Sequence, residues 1–212
     1  MNRGLATLVT TLLVALPLSG CGADASSSDG GAQQRDPYAV TEEPTIDVDQ
    51  LDPPSDYSTI EGSGFTIAAP GEFQQQTSTS PNGEPRLVLE KPSSVQQVPQ
   101  RVVVIRDVEP AKDAEEQSFA LETWKAAGDK DEESTVHRYR LDAPDGQQAF
   151  LVTWDEAQAG RRTSDVQVTY WQLMWQVDDD LIINVVAFAP AAEFETSEVS
   201  RILRTFQPSS GA

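Results

Sequence analysis

The chain has 212 residues, 34 acidic and 15 basic, and its net charge of −19 repels nucleic-acid phosphates and anionic lipid headgroups alike. With one cysteine and one histidine in all, it excludes internal disulfides, Cys-based metal sites and the His-rich ligand sets that zinc takes. Its length suits a single domain with a real core, beside an N-terminal leader and a polar tract.

Met1-Asn2-Arg3-Gly4 carries one positive charge, and residues 5–18 are apolar apart from three threonines and Pro17. That run falls short of the roughly 18 residues needed to span a bilayer, so it reads as the apolar region of a secretory signal. Small residues then lead to the single cysteine, Leu18-Ser19-Gly20-Cys21. All four positions resemble the lipobox of bacterial lipoproteins. The resemblance implies cleavage between Gly20 and Cys21, removal of residues 1–20, a diacylglyceryl group on the Cys21 sulfur, and attachment to the extracytoplasmic face of the cell membrane. Two or more acyl chains anchor stably where one does not, at about 0.8 kcal/mol per buried CH₂. The competing reading is ordinary secretion with Cys21 as a free thiol, a liability in an oxidising compartment.

Residues 21–58 read as an acidic, disordered tether. From Gly22 to Ser58 there are nine acidic residues and one basic one, punctuated by Asp36-Pro37, Glu43-Pro44 and Asp52-Pro53-Pro54. Ile46, Val48 and Leu51 are the positions that could dock on a partner or on the domain. The domain itself is expected from Thr59 to Ala212, with 25 acidic and 13 basic residues and so a net charge of −12. The lipid on Cys21 is then its contact with the membrane, since the acidic surface offers none.

Within that domain, Phe65 to Ala69 reads as a strand stopped by Pro70-Gly71, with Gly62-Ser63-Gly64 as a flexible lead-in. Pro81-Asn82-Gly83 marks a turn before a strand over 86–90, and Arg101 to Arg106 is a β-branched third. A helix is expected from Ala111 to Ala127, closed by Gly128, with Ala120, Leu121, Trp124 and Ala127 as its packed face. Strands follow over 135–141, 148–154, 166–177 and 181–189, with a turn at Gly146 and a hairpin at Asp178-Asp179-Asp180. On the long strand, Trp171, Leu173, Trp175 and Val177 share one face, and Val166, Val168, Tyr170 and Met174 the other. The next strand is apolar on both faces, which calls for cover on both sides. A final helix over 192–204 supplies one cover through Val199, Ile202, Leu203 and Phe206.

The expected fold class is α+β, an α/β/α sandwich around a mostly antiparallel central sheet. The stretch Phe65-Thr66-Ile67-Ala68-Ala69-Pro70-Gly71, the late aromatic hairpin and the closing Ile202-Leu203-Arg204-Thr205-Phe206 resemble the Mog1/PsbP-like fold. More narrowly, they resemble actinobacterial cell-envelope lipoproteins of the LpqN/LpqT type. The resemblance covers about residues 64–208 and implies an accessory or binding role. It supplies no active-site residues, and fold alone does not give function.

Catalytic chemistry finds little support in the residues. His137 sits in an alternating strand, and no G-x-S-x-G elbow, zinc ligand set or phosphate-cradling loop is present. The acidic stretch 129–133 fails as a calcium loop, because Ser134 and Arg140 stand where glycine and glutamate belong. No catalytic residue, metal or cofactor is expected, and a hydrolase ranks third. The aromatic residues Trp124, Trp154, Tyr170, Trp171 and Trp175 admit two readings, a core or a ligand groove. Two functions follow: a non-enzymatic binding or accessory module with an envelope protein partner, or a lipid or glycolipid carrier with its groove near Trp171 and Trp175.

Overall fold

The computed structural model describes residues 38–40, 43–79, 83, 85–95, 98–128, 135–144, 146–158 and 166–209. The signal, Gly20, Cys21 and the acidic stretch 129–134 lie outside the described residues. The chain divides between Arg35 and Asp36, and every described residue belongs to the second unit.

Among the described residues the strands form two sheets. The smaller joins β1 (Tyr57–Gly62), β2 (Phe65–Pro70) and β10 (Gln207–Pro208) in the order β1-β2-β10. The larger is built from β3 (Gln74–Thr79), β4 (Pro85–Lys91), β5 (Gln100–Val108), β6 (His137–Leu141), β7 (Gln148–Gln158), β8 (Val166–Asp178) and β9 (Leu181–Pro190). Its order is β3-β4-β5-β9-β8-β7-β6, and every pairing given for the two sheets is antiparallel. After β5 the chain runs through α1 (Ala114–Gly128) to the far edge, then meanders back until β9 pairs with β5. The fold is therefore α+β, mostly antiparallel sheet with few helices.

Strand alternation sorts the interior into two layers. Trp171, Leu173 and Trp175 of β8 join Ile183 and Val185 of β9 on one face, packed with Phe65, Ile67, Ile202 and Phe206. Helices α2 (Ala191–Phe194) and α3 (Val199–Arg204) cover this face together with β2. On the opposite face Phe150, Met174 and Ile182 pack beneath Ala114 and Leu121 of α1. Helix α1 crosses β6, β7 and β8, while Val88, Val103 and Val186, aligned across β4, β5 and β9, are only half-buried.

Several expectations need correction. Residues 43–58 of the segment read as a disordered tether lie on the domain, with Ile46, Val48 and Leu51 in the docking positions expected of them. Arg204 donates to the Asp49 carbonyl at 2.7 Å and pairs with Asp47 at 2.7 Å, while Gln50 donates to the Phe206 carbonyl at 2.9 Å. The Leu51 amide donates to the Arg204 carbonyl at 2.8 Å, and Ile46 and Val48 pack on the main core. This segment thus satisfies carbonyls that the end of α3 cannot pair internally. Strands β1 and β3 add to the expected set: Gln74–Thr79 is mostly exposed, and in Tyr57–Gly62 the half-buried Tyr57 and Ile60 fall on opposite sides of the pleat, so neither segment has an alternating apolar face. The Gly62-Ser63-Gly64 lead-in is a tight β1–β2 turn: a Cβ on Gly62 would stand 2.3 Å from the Phe65 ring, and Gly64 has φ +85°.

The final helix is also broken. The hydroxyls of Thr196 and Ser197 donate to the carbonyls of Glu193 and Phe194, at 3.1 and 2.8 Å, and their amides donate to the same two carbonyls at 3.1 Å. Such three-residue back-bonding competes with the helical ladder and separates α2 from α3. The inward stripe Val199, Ile202, Leu203 and Phe206 is nonetheless buried as expected.

Helix α1 begins at Ala114, later than the expected Ala111, because the Asp113 carboxylate caps it by accepting from the Glu116 amide at 2.8 Å, and it runs through Gly128. Its inward face differs from the apolar stripe. Ala114 and Ser118 are buried, whereas Ala120 and Ala127 are exposed and Trp124 is 67% exposed. The cause is Arg138 of β6, 3% exposed, whose Nε donates to Ser118 Oγ at 2.8 Å. Its other nitrogens donate to the carbonyls of Tyr38 at 2.8 Å and Glu115 at 3.1 Å. The guanidinium also lies 4.9 Å from the Phe150 ring centroid. A small polar residue faces inward because a buried guanidinium must be hydrogen-bonded.

Candidate functional site

Register across three strands lines up aromatic residues on the α1 side of the large sheet. Trp154 of β7 opposes Tyr170 of β8, which opposes Phe188 of β9. The Trp154 and Tyr170 rings are parallel within 2° at 4.9 Å, and Tyr170 and Phe188 are 5.2 Å apart. Cross-strand aromatic pairs of this kind stabilise the sheet. Arg101 of β5 extends the row, with its guanidinium 5.5 Å from the Phe188 centroid and paired with Glu90.

The last turn of α1 meets this row at Trp154. The Lys125 ammonium stands 4.7 Å from the Trp154 centroid, 4.5 Å from Trp124 and 6.0 Å from Tyr170. It also forms an ion pair with Glu156. Glu156 lies two residues beyond Trp154 on the same strand, hence on the same side, and accepts from the Trp154 indole N–H at 3.2 Å. The hydrogen bond from Lys125, aided by that of Trp154, holds the Glu156 carboxyl below its ordinary range despite some desolvation. Burial pushes the Tyr170 phenol up, partly offset by the hydrogen bond from Gln158.

Beside this cluster a cleft of about 710 Å³ opens between α1 and the β6–β8 strands, lined by Trp124, Lys125, Thr135, Trp154, Glu156 and Gln167 among others. A second cleft of about 420 Å³ lies along the outer side of α1, where Tyr38, Phe119, Ala120, Thr123 and Ala127 contribute. There Tyr38 meets Phe119 edge-on at 5.2 Å. Trp124 forms a wall of both clefts. A ring that borders two clefts at 67% exposure, with the Lys125 ammonium over it, is a ready contact for flat or cationic groups.

Of the five aromatic residues singled out in sequence, the structure brings Trp124, Trp154 and Tyr170 together and sends Trp171 and Trp175 elsewhere. Tyr170 and Trp171 are consecutive, so the pleat points them to opposite faces. Trp171 packs 5.4 Å from Phe194, and Trp175 packs 5.9 Å from Phe206 with its indole N–H donating to Gln147 at 2.7 Å. Both are core, 8% and 1% exposed, and line neither cleft. His137 stacks on Tyr139 at 6.2 Å, away from the cluster. Lys125 and Glu156 escaped sequence reasoning, although the spacing Trp154-x-Glu156 on a strand puts an indole and a carboxylate side by side.

Among the described residues, no group of three or more His, Cys, Asp and Glu is placed to hold a metal. No helix there is long and apolar enough to cross a membrane. Compared with known proteins, the chain matches no family model and no curated protein.

Proposed function

We propose that this protein is a lipoprotein anchored through Cys21 to the extracytoplasmic face of the cell membrane. Its folded domain acts there as a non-enzymatic binding or accessory module of the cell envelope, with the Trp124 clefts as its contact surface. The observation that carries the binding reading is Trp124, a large apolar ring 67% exposed between two clefts. Tryptophan at the centre of a recessed surface is the residue type that most often dominates binding energy. Leu18-Ser19-Gly20-Cys21 supports the anchor, and the acidic domain surface leaves the lipid as the membrane contact.

The same reading places the domain with the Mog1/PsbP-like sandwiches and lipoproteins of the LpqN/LpqT type. An antiparallel sheet with α1 on one face and α3 on the other supports that placement. The alternative, a lipid or glycolipid carrier, needs its groove somewhere other than Trp171 and Trp175, since both belong to the core.

The test combines fractionation with site-specific cross-linking in cells. The wild type should sediment with membranes, and Cys21→Ser should be released. A photo-reactive residue at position 124 should give a discrete adduct that the same probe at exposed Gln75 does not. Release of neither form, or identical patterns at 124 and 75, sinks the proposal.

A further inference from the structure

We infer that the larger cleft receives the cationic side chain of a lysine or arginine in a basic peptide segment of a partner. Lys125 fills the receiving position until that group arrives. The inference rests on the clefts being the contact surface, and it names the chemistry that surface recognises. Three aromatic faces at 4.5, 4.7 and 6.0 Å from one ammonium, with a carboxylate closing the fourth side, form a cation receptor. In this chain the cation inside it is the chain's own.

The occupant is suited to leave. Lys125 sits in the last turn of α1, on a long flexible stem; its side chain is 15% exposed, and its partner Glu156, at 48%, marks the solvent side by which the ammonium withdraws. Rotation of the stem withdraws the ammonium into water while α1 stays where it is. An incoming cation then finds Trp154, Trp124 and Glu156 already positioned, with Asp155 also at the cleft. The net charge of −12 over residues 59–212, to which the docked acidic segment before them adds, favours the approach of a basic segment over an acidic one. An internal competitor lowers apparent affinity by the fraction of time the site is free. Removing Lys125 should therefore strengthen binding of a cation, although the residue lines the site.

The test measures binding of a blocked tri-lysine peptide to the full chain in neutral detergent by titration calorimetry. Given the modest strength of a partly exposed ion pair and of cation–π contacts, Lys125→Gln should bind about tenfold tighter than wild type. Lys91→Gln makes the same charge change on β4, outside both clefts, and should bind nearly as wild type. Trp124→Ala added to Lys125→Gln should remove most of the gain. Lys125→Met, which keeps the apolar stem, repeats the measurement if the glutamine variant unfolds. If Lys125→Gln binds no tighter than Lys91→Gln, or if Trp124→Ala leaves its binding unchanged, the inference is overturned. An adduct at position 124 together with that result would leave the binding module standing and reject only its cation chemistry. The tenfold gain without an adduct would do the reverse.

Discussion

The two faces of the seven-stranded sheet are built from the same strands but finished differently. Beneath α2, α3 and β2, the interior is continuous and apolar, with Trp175, Phe206 and Ile202 at 1% exposure or less. Beneath α1 the buried cluster is small, and much of the contact is polar: Arg138 with Ser118, and Lys125 with Glu156. The first face is closed by area, the second by a few directed interactions. Aromatic side chains on the closed face stabilise the fold; on the other, Phe150 and Trp154 are buried as well, at 0% and 6% exposure, and Trp124 is the ring left available to a ligand.

The sharpest way to test the contrast is to remove matched groups from each face. Phe206→Ala, which empties a site between Phe65 and Trp175, should cost about 3–5 kcal/mol. Urea unfolding measures it, and a loss below that of any α1-face variant would reverse the assignment of the main core. Arg138→Met strips hydrogen bonds from Ser118, Glu115 and Tyr38 and should cost about 2–3 kcal/mol. Hydrogen exchange should show the loss concentrated in α1.

Smaller effects are expected from Thr205 and Trp124. The Thr205 hydroxyl accepts from the Ala68 amide at 2.9 Å and lies 3.0 Å from its carbonyl, 1% exposed. Thr205→Val should therefore cost about 1–2 kcal/mol, read as a shift in the urea midpoint. Trp124→Ala should change stability by less than about 0.5 kcal/mol, while removing the ring that both clefts share. A large loss of stability there would make Trp124 structural and break the comparison.

The smallest effect is a pH dependence. The folded state holds the Glu156 carboxyl below its ordinary 4.5 through the hydrogen bond from Lys125. A depressed folded value contributes stability that is complete above the unfolded value and lost as pH falls through the folded one. Glu156→Gln should therefore be slightly less stable than wild type near about pH 7, with the gap closing near about pH 3. Urea midpoints at both pH values check the sign, and exposure of the carboxylate keeps the effect small.

Most of the large sheet was legible because its strands are long, β-branched and separated by turn residues. Gly146, expected to take a positive φ, does so at +82°, and the hairpin at Asp178-Asp179-Asp180 joins β8 to β9. One edge was not legible: Gln74–Thr79 is polar throughout and becomes a strand only by pairing with β4, whereas the other edge, β6, falls within the strand expected over 135–141. The site was half legible. Aromatic content identified Trp124, Trp154 and Tyr170, but the same criterion also selected Trp171 and Trp175, because composition does not say which face will be covered.

The sequence by itself determined the lipobox pattern, the charge, the strand periodicity of the second half and the inward stripe of α3. These are local properties, read within a few residues by chemistry or by alternation. Only the tertiary structure decided which face of α1 turns inward, where the final helix breaks, and how far the acidic segment docks on the domain. Each of those depends on a partner distant in sequence or on competing local bonds: Arg138 for Ser118, the Thr196 and Ser197 hydroxyls for the helical ladder, and Arg204 for Asp47 and Asp49. A buried guanidinium or an unpaired helix-end carbonyl must find its partner wherever the fold brings one, and periodicity along the chain carries no record of that choice.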